Sequence, residues 1–163
     1  MTEDDGQALS DAIDEVIEAL PSRETVGWLR TAEEWFGSSR LLTGHGMYSH
    51  VCEGSRHSVE LALKAVLVDR GAEQPPHLTS LLVLGKQITD ELPRDLRSKL
   101  VKLDHYYYEP LYPTELSPQP GQYYEEPEAT EALQVARELI DWARALLPEA
   151  VVRQAPREDF EAT

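Results

Sequence analysis

The sequence predicts an all-α protein: an up-and-down bundle of four to five core helices with an additional N-terminal helix. Three observations carry this. Apolar residues recur near 100° per residue along almost the whole chain. No segment shows the strict alternation of a strand, and no internal repeat is evident. Pro21, the Gly44–Gly46 segment, Gly71, Pro75-Pro76, Pro93 and Pro148 punctuate the periodic segments where helices should start or stop.

The first helix is expected over 9–20, with Leu9, Ile13, Val16, Ile17 and Leu20 on one face and acidic residues outward. Pro21 ends it. Ser22 can cap a second helix to about Thr43, with Glu24 placed where the helix dipole favours negative charge. Trp28, Ala32, Trp35, Ser39 and Leu42 share one face of this helix, widened by Val26, Leu29 and Phe36. The third helix, about Met47–Arg70, is the longest and most apolar, and Gly71 stops it. A fourth is expected to open at His77-Leu78 and run through about Leu92, with Leu78, Leu81, Leu82 and Ile88 inward. Pro93 fits the first turn of a fifth, with Leu96, Leu100 and Leu103 inward. Residues 107–127, with five prolines and five tyrosines, read as a long irregular loop of the kind that usually carries function. A sixth helix spans about Glu128–Leu147.

At 163 residues the chain is about one domain. Its expected organisation is an acidic N-terminal helix over 1–22, a bundle over 23–148 and a short mobile tail over 149–163. There are 30 Asp+Glu against 15 Lys+Arg, a net charge of -15, which opposes broad binding to a phosphate backbone. The acidic, lysine-poor balance resembles that of salt-adapted proteins. Cys52 is the one cysteine, so an intrachain disulfide and a multi-cysteine zinc site are excluded; on an apolar helix face it reads as a buried, inert thiol. The N-terminus has neither the basic nor the apolar region of a signal peptide, and no apolar run reaches membrane-spanning length. These features point to a cytoplasmic protein with no membrane association.

The third helix carries the most chemistry. His50, Glu53, His57, Glu60 and Lys64 fall within roughly 80° of one another on a helical projection, opposite Tyr48, Cys52, Val59, Leu63 and Val66. Gly54, Leu61 and Val68 lie beside this polar stripe, so it is a candidate for partial burial. Carboxylate–histidine di-metal centres need a Glu-x-x-His motif on each of two helices. The third helix carries His50-x2-Glu53 and His57-x2-Glu60, and no second helix offers such a pair, so no metal is expected. The favoured reading is an intrahelical network pairing Glu53 with His57 and Glu60 with Lys64.

The segments WLRTAEEWFGSSRLL, GMYSHV, RHSVELALKAVLVDRG and PHLTSLL together resemble the HEPN domain (higher eukaryote and prokaryote nucleotide-binding). The long helix of that family reads approximately Q-Q-A-x-E-K-x-L-K-A-x-L. Glu60, Leu63, Lys64, Ala65 and Leu67 match it, while Arg56 and His57 stand where the two glutamines would. His77 matches a family histidine at the next helix, and YYEPLYPTE is similar to a tyrosine-rich segment ending in Arg-Tyr-Pro, with Leu111 in place of the arginine. Trp35 replaces a common acidic residue. The resemblance, over about 25–147, implies a homodimer, nucleotide or RNA as ligand, and a nucleotidyltransferase partner in a toxin–antitoxin pair. Ribonuclease members carry Arg-x(4–6)-His on a later helix. A match to that spacing, Arg40-x4-His45, ends the second helix instead, so catalysis is not assigned.

The functional expectation is therefore a HEPN-like interaction or binding protein without a cofactor, with nucleotide or RNA binding and a divergent ribonuclease activity as the alternative. A cleft would gather His57, Glu60, His77 and His105 as the polar or proton-transferring groups. Arg56 and Lys64 would meet an anion, and Tyr107, Tyr108 and Tyr112 would stack a base. The basic helix Arg94–Lys99 is a further candidate for phosphate contact, or a merely solvated face. Large aromatic residues near the second and third helices, Trp28, Trp35, Met47 and Tyr48 among them, favour association.

Overall fold

Capping groups set where the helices begin. The computed structural model describes residues 2–20, 22–72, 77, 80–107 and 124–158. Helix α1 (Glu3–Ala19) starts six residues earlier than periodicity alone indicates, because Thr2 and Asp5 form a reciprocal capping box. Helix α2 (Arg23–Thr43) starts on Ser22, whose hydroxyl accepts from the Thr25 amide. Helix α3 (Tyr48–Asp69) follows a turn, and Gly46 and Gly71 take the positive φ of the two connections flanking it.

Helix α4 (Leu81–Ile88) is shorter than expected at both ends. Asp104, at the end of α5 (Arg94–Asp104), fixes its start. The Asp104 carboxylate accepts from the amides of Leu81 (2.7 Å) and Leu82 (3.2 Å) and from the Ser80 hydroxyl (3.1 Å). At the other end Thr89 is extended, and Arg70 donates to the Ile88 carbonyl at 2.6 Å. Leu92 is still buried, but outside the helix. The expected Leu78 lies outside the described residues, as do 108–123 of the tyrosine-rich loop. Helix α6 (Glu126–Ala145) begins on a Glu125–Glu128 capping box.

The described residues form helices and connections only, arranged as the expected bundle. Helix α3 is the axis: Val51, Cys52, Val59, Ala62, Leu63, Ala65 and Val66 are fully buried. Helix α2 packs along one side of it and α6 along another, while α4 and α5 cover much of the rest. Close approach of α2 and α3 uses Gly54, where a Cβ would overlap the Ser39 hydroxyl. Helix α1 remains outside this core, with Leu9, Ile13, Val16, Ile17 and Leu20 between 49% and 63% exposed.

Residues 149–158 differ from the mobile tail expected there. They form α7 (Glu149–Gln154) and a strap in which Val151 and Ala155 are fully buried. The anchor is Glu33 of α2, itself 1% exposed. Arg137 grips it in a two-pronged fork (2.9 and 2.7 Å), Arg144 donates at 3.2 Å and the Glu158 amide at 3.3 Å. Arg144 also donates to the Ala155 carbonyl, and Arg30 to that of Gln154. Removing one partner from such a buried set leaves uncompensated charge. Glu33→Ala should therefore lower unfolding stability by about 3–5 kcal/mol in urea denaturation. Glu131→Ala, which removes the exposed partner of Lys102, should cost under about 1 kcal/mol.

Candidate functional site

One part of the predicted polar stripe is assembled and covered. Arg56, Glu60 and Lys64 are 2%, 5% and 9% exposed, and His57 is half-buried. Glu60 is the hub. Arg56 Nη1 donates to its Oε1 at 3.3 Å, while His57 Nδ1 and Lys64 Nζ stand 3.4 and 3.6 Å from Oε2. The expected Glu60–Lys64 pair is present, but His57 turns to Glu60 rather than to Glu53. Glu53 is half-buried and can keep its hydration, whereas the buried Glu60 cannot.

Two aromatic side chains extend the cluster. The Trp35 ring meets His57 edge-on at 4.5 Å between centroids, and Trp35 itself is 40% exposed. The Arg56 guanidinium lies over the Tyr107 ring at 4.9 Å. Beside Trp35 is a recess of about 270 Å³ lined by Glu34, Trp35 and Ser38. The candidates thus brought together are Arg56, His57, Glu60, Lys64 and Tyr107. His105 is exposed at the α5 C-cap and His77 is exposed in a bend, and neither belongs to the Glu60 ion-pair set. Tyr108 and Tyr112 lie outside the described residues. His50 is exposed, and among the described residues no group of three His, Cys, Asp or Glu is placed to hold a metal ion.

Burial opposes ionisation of Glu60, but the His57 hydrogen bond and the charges of Arg56 and Lys64 outweigh it. The carboxyl is held below its ordinary value of 4.5. It is therefore ionised and fully engaged at neutral pH, which suits a positioning role better than a general base. Cys52 is fully buried, and its thiol is pushed up to about 12 by desolvation and the Glu128 charge, in keeping with an inert thiol. The basic stretch of α5 has less to offer phosphate than its sequence suggests. Lys99 is engaged by Asp95 (2.8 Å) and Glu138 (2.9 Å), and Lys102 by Glu131. Nothing in the local sequence marks Glu33 as the structural centre it is.

This is an all-α bundle organised around a polar-cored central helix. The chain belongs to the HEPN family: the HEPN domain model matches residues 25–146. Among solved structures it is similar to TT1696 from Thermus thermophilus, with 26% identity and a TM-score of 0.68; the likeness covers 77% of this chain and 100% of that one. It is also similar to ST0689, an archaeal HEPN homologue, with 25% identity and a TM-score of 0.60 over 74% of this chain and 95% of that one. No curated protein matches the chain significantly. Helix α1 and the α7 strap lie outside the matched domain. Among the described residues no helix is long and apolar enough to cross a membrane.

A carboxyl whose folded pKa is depressed stabilises the fold above its unfolded pKa and loses that contribution as pH falls through the folded value. Glu60→Gln should thus cost about 3 kcal/mol at pH 7. The gap between wild type and variant should begin to close below 4.5 and shrink as the native carboxyl protonates. Urea unfolding of both proteins between pH 7 and pH 3 checks this, and a gap independent of pH would contradict it.

Proposed function

We propose that this protein acts by association: a cytoplasmic HEPN-like binding protein, dimeric, and a component of a toxin–antitoxin or nucleotidyltransferase-linked module. The observation that carries the reading is Trp35. Its indole is 40% exposed on α2, edge-on to His57 and directly outside the Glu60 cluster. A large aromatic side chain held at the surface by an ordered polar base is the usual anchor of a protein interface. Exposed Leu41 and Met47 add apolar area at the α2 end and the following turn. Glu60 serves as that base because its charge is consumed by Arg56, His57 and Lys64.

Ribonuclease chemistry finds less support. All five histidines precede α6, so no Arg-x(4–6)-His motif occurs on that later helix. Of the two stretches with that spacing, Arg40 lies in the last turn of α2 with His45 in the exposed turn after it, and Arg70 caps α3 and donates to the Ile88 carbonyl while His77 is exposed in a bend. The alternative, nucleotide or RNA binding, has one favourable feature in Arg56 stacked on Tyr107 beside Lys64.

The test asks first whether the adjacent gene encodes a nucleotidyltransferase, whose absence would count against the module, and then titrates that protein by calorimetry against wild type and Trp35→Ala. Wild type should bind, and the variant should bind at least ~10-fold more weakly with its thermal midpoint little changed. ATP, GTP and a short single-stranded RNA should leave the midpoint unmoved, and wild type and His57→Ala should show equal, background RNA cleavage. A thermal shift with nucleotide or RNA that is lost in Lys64→Ala would favour the alternative. Cleavage lost in His57→Ala would make the protein an enzyme.

A further inference from the structure

Helix α1 presents a ridge without a seat, and the body of the domain presents a seat without an occupant. Leu9, Ile13, Val16, Ile17 and Leu20 follow helical spacing on one face of α1, and each is about half exposed or more. On α2 and α3, Gly27, Trp28, Thr31 and Leu61 line a predominantly apolar groove of about 440 Å³, with Glu24 at its edge. Gly27 sits in the second turn of α2, where glycine costs about 1 kcal/mol relative to alanine, yet among the described residues, its own helix backbone and chain neighbours aside, nothing approaches within 4 Å of where its Cβ would be. A second helix lying close against α2 would use that missing side chain.

We infer that α1 of one copy seats its apolar ridge in the Gly27–Trp28–Leu61 groove of a second copy, reciprocally, making a two-fold dimer. This rests on the associative reading above and specifies the contact. Ridge and groove belong to the same chain, so a two-fold exchange fills both grooves and buries both ridges. The exposed ridge amounts to on the order of 500 Å² per helix, and two ridges laid on the α2–α3 surface in and around the two grooves remove on the order of 1,000–2,000 Å², overlapping the range of a stable interface. Charge is compatible with this seat. Outside its ridge α1 carries Glu3, Asp4, Asp11, Asp14 and Glu15 with no basic residue, while Arg23 and Arg30 flank Gly27 on α2, Arg30 with its Nε on the Gln154 carbonyl. Because α1 lies outside the matched HEPN residues, the exchange is an addition to the domain.

Two measurements test it together. By light scattering at about 50 µM, wild type should have twice the 18.4 kDa chain mass, and the Ile13→Asp/Ile17→Asp variant should be monomeric, its apparent Kd raised at least ~100-fold. Both isoleucines are exposed in the single chain, so the variant should retain its helical circular dichroism. A tagged Ile13→Cys chain mixed with an untagged Thr31→Cys chain should form a mixed disulfide dimer on mild oxidation, because Cys52 is fully buried in both. A variant that stays dimeric overturns the α1 seat and leaves the associative reading standing. So does a disulfide that forms only within a chain carrying both cysteines, since α1 would then fold back on its own groove. A monomeric wild type overturns the seat and the dimer together.

Discussion

The constraint on which the structure depends is the burial of α3 on nearly every side. A helix so enclosed cannot leave a charge uncompensated, yet it carries Arg56, Glu60 and Lys64, all at most 9% exposed. Glu60 resolves this by standing between its neighbours one turn away in both directions. The same solution recurs between α2 and α6, where Glu33 is enclosed by Arg137 and Arg144. In a chain with only 15 basic residues, four of them are therefore committed to two interior carboxylates. Little positive charge remains to form a footprint for a phosphate backbone.

This allocation of charge shapes what the surface can do. The Arg56–Glu60–Lys64 part of the α3 polar face is buried and paired within itself, so recognition falls to what lies outside it. Trp35 is held there by His57, and His57 is held by Glu60, a chain of contacts from the core to an exposed indole. His57 and Leu61 stand one helical turn apart on α3, so Trp35 and the α2–α3 groove adjoin on one side of the bundle. The loop after α5 meets the cluster through Tyr107.

Much of this fold was legible because local chemistry sets it. Helical periodicity places the core residues of α3 and the buried Leu100 and Leu103 of α5, and Ser22 and Gly71 mark boundaries that hold in three dimensions; on α2 it finds Val26, Leu29, Ala32 and Phe36 but not the exposure of Trp35. The features that escaped sequence reading depend on distant partners. Glu33 is joined to Arg137 and Arg144 across 104 and 111 residues, so nothing near it announces a buried clamp. Asp104 caps α4 from 23 residues downstream, overriding the earlier start suggested by His77-Leu78. Residues 149–158 read as a tail because their few apolar side chains show no helical run long enough to stand alone. Burial of Val151 and Ala155 and the Glu33 network supply what the local sequence lacks. Within the site, spacing identified Glu60 and Lys64 but offered His57 two carboxylates, and burial decided between them. His77 and His105, attractive as residue types, occupy exposed positions apart from the Glu60 ion pairs.

The central claim is that Glu60 is ionised at neutral pH and anchors a recognition face, rather than serving as a proton-transferring base. The most direct measurement is the titration of its side-chain carboxyl by carbon-detected NMR in the intact protein, assigned by loss of the signal in Glu60→Gln. The carboxyl should titrate below 4.5 and stay charged throughout the neutral range. A midpoint raised above 4.5 toward neutrality would mean that burial prevails over Arg56, His57 and Lys64, and would return Glu60 to the role of a general acid or base.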